Sequence, residues 1–265
     1  MSPSSPYADD LGLAQMLADQ VEQVTMARFR ADDLIIESKP DLTPVSDADR
    51  AAEQVLRAQL SRARPRDAVI GEEFPTTGIS SRRWVIDPID GTKNYVRGLP
   101  VWATLIGLIE DGRCVMGLVS APALGMRWWA AEGTGAWTGR SLSSARQIRV
   151  SQVTSLDDAS LSYSSIDSWR EAGRGRGFLG LTSRMWRTRA YGDFWSYMLV
   201  AEGSVDVAAE PELELYDMAA LVTIVTEAGG RFSSLDGSDG PFGGNAVATN
   251  GLLHDEVLQA LALDN

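Results

Sequence analysis

The stretch Trp84-Val85-Ile86-Asp87-Pro88-Ile89-Asp90-Gly91-Thr92 joins an apolar run to two carboxylates, a glycine and a threonine. The apolar part predicts a buried strand, and the proline interrupts the regular pairing of that strand. The turn that follows lets the two carboxylates converge and leaves the Ile89 carbonyl oxygen available as a further ligand. Gly91 permits close backbone approach to a phosphate, and Thr92 adds a hydroxyl. The stretch therefore predicts a magnesium-dependent phosphate site.

Two more carboxylates are candidates for the same site. Glu72 follows a predicted strand, and Asp217 begins a predicted helix. Both positions also have a purely structural interpretation. Glu72 and Glu73 could form solvated surface, and Asp217 could stabilise the start of its helix. Metal binding is compatible with both positions, because sites in α/β proteins form at strand ends and a helix N-terminus can present a carboxylate to a metal. We therefore predict that Glu72 and Asp217 join the carboxylates of the quoted stretch.

A threonine hydroxyl can orient a metal-bound water if a carboxylate accepts a proton from it. Thr92 is the candidate for the hydroxyl, and Asp47 is the candidate for the carboxylate. Asp47 also suits the first turn of a helix, where an acidic side chain stabilises the positive end of the helix dipole. Both readings of Asp47 stay open at this point.

Composition excludes several classes of protein. The formal net charge of −12 and the absence of a Lys/Arg run argue against nucleic acid as a partner. The single cysteine, Cys114, excludes an internal disulfide, and any Ser/His/Asp triad would have to rest on the single histidine, His254. His254 is expected at the start of a C-terminal surface helix, and Cys114 as a buried, unreactive thiol. With neither an apolar span nor a secretory signal, we expect a cytoplasmic protein that does not bind membranes.

Apolar periodicity and turn residues divide the chain near residue 150. Residues 1–150 are predicted as an N-terminal α+β domain with the metal site, in which a helix pair precedes an antiparallel meander. Residues 151–265 alternate strands with helices and are predicted as a smaller α/β domain with substrate-selecting loops. Predicted helices are 7–29, 46–60, 193–202, 217–228 and 252–263; predicted strands are 34–36, 69–71, 84–89, 102–110, 114–120, 126–131, 160–164, 205–208 and 246–249. Segment 39–45, with two prolines, is predicted as a loop, and 168–181 as a loop or short helix.

Three motifs in order resemble the signature of the inositol monophosphatase family. They are Gly71-Glu72-Glu73, Asp87-Pro88-Ile89-Asp90-Gly91-Thr92 and Tyr216-Asp217-Met218-Ala219-Ala220. The resemblance extends from segment 39–47 to Ala248-Thr249-Asn250-Gly251. One departure is Tyr216, where the family commonly has tryptophan. The resemblance implies a five-layer α/β/α/β/α fold, a magnesium-dependent phosphomonoesterase and a homodimer.

The resemblance also implies roles for the candidate residues. One magnesium ion is expected on Glu72, Asp87 and the Ile89 carbonyl, and a second on Asp87, Asp90 and Asp217. A weaker third ion would involve Glu72, and Mn²⁺ or Zn²⁺ are possible substitutes. Thr92 with Asp47 would orient the attacking water, and Glu72 completes the expected catalytic set. This assignment agrees with general two-metal chemistry, in which paired ions generate hydroxide and stabilise the leaving oxygen.

Substrate choice is expected from the second half of the chain. The expected substrate-binding residues are Asp90, Gly91, Thr92, Arg189, Asp193, Glu210 and Asp217. Extra carboxylates and aromatic side chains suit a cationic alcohol better than a neutral polyol. Segments 83–87, 94–103 and 190–194 resemble the actinobacterial histidinol-phosphate phosphatases of this family, although Trp84 and Trp102 are expected in the core. The resulting expectation is hydrolysis of L-histidinol phosphate in histidine biosynthesis.

Three alternatives remain open from the sequence. The first is an inositol-1-monophosphatase or a broad sugar-phosphate phosphatase. The second comes from the resemblance, because some members of the family act by binding the transcription machinery. The third is a domain in which a metal has only a structural role, which would show no turnover of any phosphomonoester.

Overall fold

The computed structural model describes residues 5–39 and 43–262. A small antiparallel sheet pairs β1 (Ile36–Ser38) with β2 (Pro44–Ser46). A seven-stranded sheet contains, in spatial order, β3 (Ala68–Gly71), β4 (Arg82–Asp90), β5 (Ala103–Glu110), β6 (Arg113–Ala121), β7 (Met126–Ala131), β8 (Ala136–Thr138) and β9 (Arg146–Ile148). The β3–β4 pair is parallel and the other pairs are antiparallel. The predicted meander is therefore confirmed.

A five-stranded sheet lies in the second half of the chain. Its strands are β10 (Ser160–Ser162), β11 (Arg187–Arg189), β12 (Val207–Glu210), β13 (Arg231–Ser233) and β14 (Ala246–Thr249). Their spatial order is β11-β10-β12-β14-β13, with β10 parallel to both of its neighbours and β14 antiparallel to both of its own. The gap between β9 and β10 coincides with the predicted boundary near residue 150, and the division into two domains stays a prediction.

The helices form three layers around these sheets. They are α1 (Ala8–Arg28), α2 (Asp47–Ala63), α3 (Thr92–Val96), α4 (Ile166–Glu171), α5 (Gly175–Arg184), α6 (Asp193–Ala201), α7 (Leu215–Glu227) and α8 (His254–Ala260), with short 3-10 turns at Pro122–Leu124, Leu142–Ser144 and Leu156–Asp158. Helices α1 and α2 cover one face of the large sheet. Helices α6 and α7 fill the space between the two sheets, and α4, α5 and α8 cover the outer face of the smaller sheet. The expected five-layer fold is confirmed.

Helix α7 packs with its backbone directly on the large sheet. A Cβ atom on Gly117 of β6 would lie 2.0 Å from the Ala220 carbonyl oxygen. A Cβ atom on Gly107 of β5 would lie 3.0 Å from the Ala219 carbonyl carbon and the Ala220 backbone nitrogen. Any side chain at Gly117 would therefore displace the helix, so these two glycines set the distance between α7 and the sheet.

Several predicted elements differ from the observed ones. The predicted strand 34–36 begins only at Ile36, and the predicted loop 39–45 contains β2, since Pro44 begins an edge strand where its missing N–H matters little. Segment 168–181 belongs to two helices, α4 and α5, rather than to a loop or one short helix. Residues 40–42 and the predicted helix end at 263 lie outside the described residues. No helix within the described ranges is long and apolar enough to cross a membrane.

Candidate metal centre and active site

Strand β4 brings the first two site carboxylates together through an irregularity in its pairing. Asp87 still pairs with Leu105 of β5, but the register shifts before Asp90 pairs with Ala103. The shift follows Pro88, which has no N–H to donate to the ladder. Oδ1 of Asp87 accepts the N–H of Ile89 at 3.0 Å, which fixes the bend. The predicted turn after the strand is confirmed.

Helices α6 and α7 complete this group from the other half of the chain. Oδ2 of Asp217, at the third position of α7, accepts the N–H of Glu214 at 2.7 Å in a capping box. Oδ2 of Asp90 accepts the N–H of Phe194, in the first turn of α6, at 2.7 Å. Each carboxylate of Asp87, Asp90 and Asp217 offers an oxygen within 4.8 Å of the others. Asp217 thus both caps its helix and joins the acidic group.

The acidic group carries negative charge that its surroundings do not neutralise. Burial raises the pKa of Asp87, and the charges of Glu72, Asp90 and Asp217 raise it further. Burial, Asp193 and Asp217 likewise raise the pKa of Asp90, and burial with neighbouring carboxylates raises the pKa of Asp217 to about 7. Such a group requires a cation when it is ionised, and an all-oxygen donor set suits a hard divalent ion. The residues present therefore fit a metal site.

Glu72 lies beside this group and is held by a lysine. Nζ of Lys39 donates to Oε1 of Glu72 at 2.6 Å and to Oε1 of Glu73 at 2.7 Å. Among the residues that the structure describes, the compact group contains Asp87, Asp90 and Asp217 but not Glu72. The negative charge of Glu72 nevertheless contributes to the raised pKa of Asp87. The sequence did not identify Lys39 as the partner of these two carboxylates.

Thr92 contacts Asp49 and not the predicted Asp47. Oγ1 of Thr92 lies 2.9 Å from the Ile89 carbonyl oxygen and 3.3 Å from Oδ1 of Asp49. Asp49 is buried, and burial raises its pKa. Asp47 instead pairs with Nη2 of Arg28 at 2.8 Å, and its side chain is 35% exposed. The structure therefore does not bring Asp47 to Thr92.

A capping signal could have separated Asp49 from Asp47. The backbone N–H of Ser46 donates to Oδ2 of Asp49 at 2.8 Å, and Ser46 is the N-cap of α2. A serine followed three residues later by an acidic residue is the sequence pattern of a capping box. Asp47 and Asp49 are two residues apart, so they project from different faces of the helix. Only the face of Asp49 is turned toward the metal site.

Gly91 brings the end of β4 against a carboxylate from α6. Gly91 has φ of 83°, and a Cβ atom there would lie 3.0 Å from the Val101 carbonyl oxygen and 3.3 Å from Oδ2 of Asp193. Asp193 itself has φ of 49°. Nδ2 of Asn94 donates to Oδ2 of Asp193 at 2.8 Å and to the Val101 carbonyl oxygen at 2.9 Å. Asn94 was not predicted as a site residue.

Ser164 connects Asp193 to the predicted substrate residue Glu210. The N–H of Asp193 donates to Oγ of Ser164 at 3.0 Å, and Oγ of Ser164 donates to Oε1 of Glu210. Glu210 ends β12 and is buried; burial and the charges of Asp193 and Asp217 raise its pKa to about 8. These contacts join the two predicted substrate carboxylates through one hydroxyl. Ser164 was not predicted as a site residue.

The aromatic side chains and Arg189 take different positions. The rings of Tyr191 and Trp195, on either side of Asp193 in sequence, meet edge to face with centroids 5.5 Å apart. Arg189 ends β11, is exposed and donates to the Thr188 carbonyl oxygen at 2.7 Å. Within the described ranges, Arg189 makes no hydrogen bond or ion pair to a carboxylate of the site. Trp84 and Trp102 are fully buried, so their assignment to the core is confirmed.

His254 and Cys114 stay apart from the acidic group. His254 begins α8, but its side chain is buried and lies between the hydroxyls of Ser233 and Thr249, at 2.8 and 3.0 Å. The expectation of a surface position for this residue is therefore wrong, because α8 packs it against the smaller sheet. Burial lowers the pKa of His254 to about 4. Cys114 is partly buried, and burial raises its pKa to about 12, in keeping with an unreactive thiol.

Known proteins resemble this chain over nearly its whole length. The model of the inositol monophosphatase family matches residues 9–263. A histidinol-phosphatase of Streptomyces coelicolor is 66% identical over 256 residues, covering 95% of this chain and 96% of the relative. A histidinol-phosphatase of Mycobacterium tuberculosis is 58% identical over 254 residues, covering 96% of this chain and 98% of the relative.

A solved structure of an inositol monophosphatase from Zymomonas mobilis has the same fold. It superposes with a TM-score of 0.87 at 34% sequence identity, covering 98% of this chain and 100% of that one. This chain therefore belongs to the inositol monophosphatase family, since the family model, the relatives and the solved structure all match nearly its whole length.

Proposed function

We propose that this chain is a magnesium-dependent phosphomonoesterase that hydrolyses L-histidinol phosphate to L-histidinol and phosphate. Two relatives at 66% and 58% identity are histidinol-phosphatases. The observation that carries the proposal is the hydrogen-bonded series Asp193–Ser164–Glu210, which places two more carboxylates next to the acidic group. A neutral polyol offers no charge to pair with them, whereas histidinol phosphate carries an ammonium and an imidazole.

The metal ions would be held by Asp87, Asp90, Asp217 and the Ile89 carbonyl oxygen, with Glu72 at the side of the group. Oxygen ligands favour Mg²⁺ or Mn²⁺ over softer ions. When bound, such ions lower the pKa of a water and stabilise the negative charge that develops on the leaving oxygen. Lys39 is bonded to Oε1 of Glu72, so an ion held by Glu72 would use the other carboxylate oxygen, Oε2.

Thr92 and Asp49 would prepare the attacking water. The Thr92 hydroxyl has one hydrogen, and both the Ile89 carbonyl oxygen and Oδ1 of Asp49 lie within reach of it. If Thr92 donates this hydrogen to Asp49, its oxygen can accept a hydrogen bond from the water and orient it. Asp49 would then accept the proton of the Thr92 hydroxyl while Thr92 accepts one from the water. Asp47 has no part in this step.

Gly91 and the two extra carboxylates would position the substrate. A side chain at Gly91 would meet the Val101 carbonyl oxygen and Asp193, so glycine lets Asp193 lie directly against the backbone that would approach the phosphate. Glu210 and Asp193 would face the part of the substrate that leaves with the ester oxygen. Arg189 is bonded to its own strand and is not assigned a substrate contact in this scheme.

The decisive experiment measures phosphate release from L-histidinol phosphate and from myo-inositol 1-phosphate, each with magnesium and with EDTA. We expect a strong preference for histidinol phosphate that EDTA abolishes. Comparable or reversed rates would instead indicate a broad inositol or sugar phosphatase. No turnover of any phosphomonoester would point to a binding protein or to a structural metal site.

Two further properties follow from the family resemblance and belong to the same proposal. We infer that the enzyme is a homodimer in the cytoplasm, where it would supply histidinol to histidine biosynthesis. Sedimentation analysis of the purified protein should give a mass near twice 28.6 kDa. A monomer with full activity would show that one chain suffices for the site.

A further inference from the structure

The proposed substrate has two cationic groups at different distances from the phosphate. Its ammonium is carried by the carbon next to the phosphate-bearing carbon, and its imidazole lies further away. A carboxylate that recognises the ammonium must therefore lie beside the phosphate-binding backbone, whereas one that recognises the imidazole can lie deeper in the pocket. The positions of Asp193 and Glu210 differ in this respect.

Asp193 is the carboxylate that adjoins the phosphate-binding segment. Its Oδ2 would lie 3.3 Å from a Cβ atom placed on Gly91, and the next residue, Phe194, donates its N–H to Asp90. Among the described residues, the hydrogen bonds that link Glu210 to Asp193 run through Ser164. The carboxylate of Asp193 therefore has the position that the ammonium requires.

Asp193 is held in place at a cost in backbone energy. Its φ of 49° lies in the left-handed region, which is unfavourable for a residue with a side chain, though aspartate tolerates it better than most. Asn94 holds Oδ2 at 2.8 Å, and Ser164 accepts the N–H at 3.0 Å. Asn94 is itself fixed to the Val101 carbonyl oxygen at 2.9 Å. A left-handed residue held from both sides is typical of a functional position.

One oxygen of this carboxylate is available to a ligand. Within residues 5–39 and 43–262, Oδ1 of Asp193 accepts no hydrogen bond, and Lys93 acts on Asp193 through its charge without forming an ion pair. Lys93 is exposed, at the adjoining position of α3. An ammonium has three donors and can use the free oxygen without displacing Asn94.

We propose that Asp193 recognises the substrate ammonium and that Asn94 is a positioning residue that fixes the Asp193 carboxylate beside Gly91. This inference rests on the proposed function and divides the work between two carboxylates, leaving Glu210 for the imidazole. It predicts selectivity for phosphate esters with an ammonium on the neighbouring carbon.

The test compares L-histidinol phosphate with 3-(imidazol-4-yl)propyl phosphate, which lacks the amino group. The measured quantity is the ratio of kcat/KM for the two substrates. In Asp193→Asn the new amide oxygen can still accept the N–H of Asn94, so the fold is kept and the charge is lost. We expect the ratio to fall about 30-fold, mainly through KM for histidinol phosphate, as for loss of a charged hydrogen bond.

Asp193→Gly is the second variant, since glycine adopts positive φ without strain and also removes the carboxylate. It should lower the ratio as much as Asp193→Asn, with an equal or higher Tm. Asn94→Ala should lower the ratio about fivefold alone and cause no further fall in the Asp193→Asn background, because it acts only through that carboxylate.

The outcomes separate this inference from the proposed function. If the wild-type enzyme does not prefer histidinol phosphate to myo-inositol 1-phosphate, the proposed function itself fails. If it does, but the ratio is unchanged in Asp193→Asn and Asp193→Gly, the assignment of the ammonium to Asp193 is wrong. A further fall in the double variant with Asn94→Ala would overturn the positioning role of Asn94.

Discussion

Among the described residues, three carboxylates at one end of the candidate site accept hydrogen bonds only from backbone N–H groups, whereas two carboxylates at the other end are held mainly by side chains. Asp87, Asp90 and Asp217 accept N–H groups of Ile89, Phe194 and Glu214. These N–H groups carry no full positive charge, so the three crowded carboxylates still repel one another. The metal end is thus built to gain most of its stabilisation from bound ions.

The proposed substrate end is held by side-chain hydrogen bonds without any ligand. Asn94 holds Asp193, and Ser164 joins Asp193 to Glu210. Side-chain partners of this kind fix both the position and the orientation of a carboxylate. The contrast predicts that chemistry and selectivity are separable: substitutions at the proposed metal end should affect all substrates, and substitutions at the proposed substrate end should affect some substrates more than others.

The largest effect is expected at the metal end, from Asp87→Asn. Turnover of every phosphomonoester should fall by about 1,000-fold or more, because the group loses a central ligand. In EDTA, the same variant should have a higher Tm than the wild type, since a buried charge in a repelling group is removed. Phosphate release and thermal unfolding measure the two effects. Substantial activity with magnesium would refute the metal assignment.

A matched pair of variants tests which aspartate assists the water. Asp49→Asn should lower kcat about 100-fold on all substrates, the usual range for loss of a general base. Asp47→Asn should change kcat by about twofold or less, because this residue makes a partly exposed ion pair with Arg28. The measurement is kcat of both variants on histidinol phosphate at saturating magnesium. The opposite order of effects would restore Asp47 as the partner of Thr92.

At the substrate end, Glu210→Gln should act selectively. The new amide oxygen can still accept the Ser164 hydroxyl, while the charge that pairs with a cationic substrate is lost. We expect about a tenfold loss of kcat/KM for histidinol phosphate and a smaller loss for myo-inositol 1-phosphate. Steady-state kinetics on both esters provides the test. Equal losses would mean that Glu210 does not select the cation.

The smallest effect concerns the stability of the metal-free protein between pH 8 and 6.5. The pKa of Asp217 is raised to about 7 and that of Glu210 to about 8, so the folded state binds protons in this range that the unfolded state does not. Stability in EDTA should therefore rise as pH falls, by about 5 °C in Tm. His254, with a pKa lowered to about 4, opposes this only below about pH 6.5.

Saturating magnesium supplies the control for this pH effect. Because bound ions keep the carboxylates of the metal end ionised, the rise in Tm between pH 8 and 6.5 should be smaller than in EDTA. A Tm in EDTA that falls over the same interval would show that the acidic group is not under electrostatic strain.

The metal end could be predicted from sequence because its determinants are local. Asp87 and Asp90 are three residues apart around a proline, and that spacing alone implies a turn with converging carboxylates. Asp217 was a candidate because it begins a predicted helix, but its sequence spacing from Asp90 does not by itself place the two carboxylates together. The prediction that Asp47 is the partner of Thr92 failed because the position of a residue on the helix decides which aspartate faces Thr92, and that residue is Asp49.

The substrate end could not be predicted in the same way, because its contacts join distant parts of the chain. Asn94 and Asp193 are 99 residues apart, and Ser164 and Glu210 are 46 apart. Nothing in the local pattern around Asn94 or Ser164 marks either as a partner. Short strands such as β11 and β13 were missed for a related reason, since three residues hold too little periodicity to distinguish a strand from a loop.

The close contact of α7 with Gly107 and Gly117 has a consequence for how this family member can change over time. Asp217 stands at the start of α7, and the helix rests on the sheet with no side chain between them at Gly117. A methyl group added to Gly117 would move an aspartate that it does not touch. We therefore expect Gly107 and Gly117 to tolerate substitution as poorly as the proposed metal ligands do, although neither glycine has a functional group.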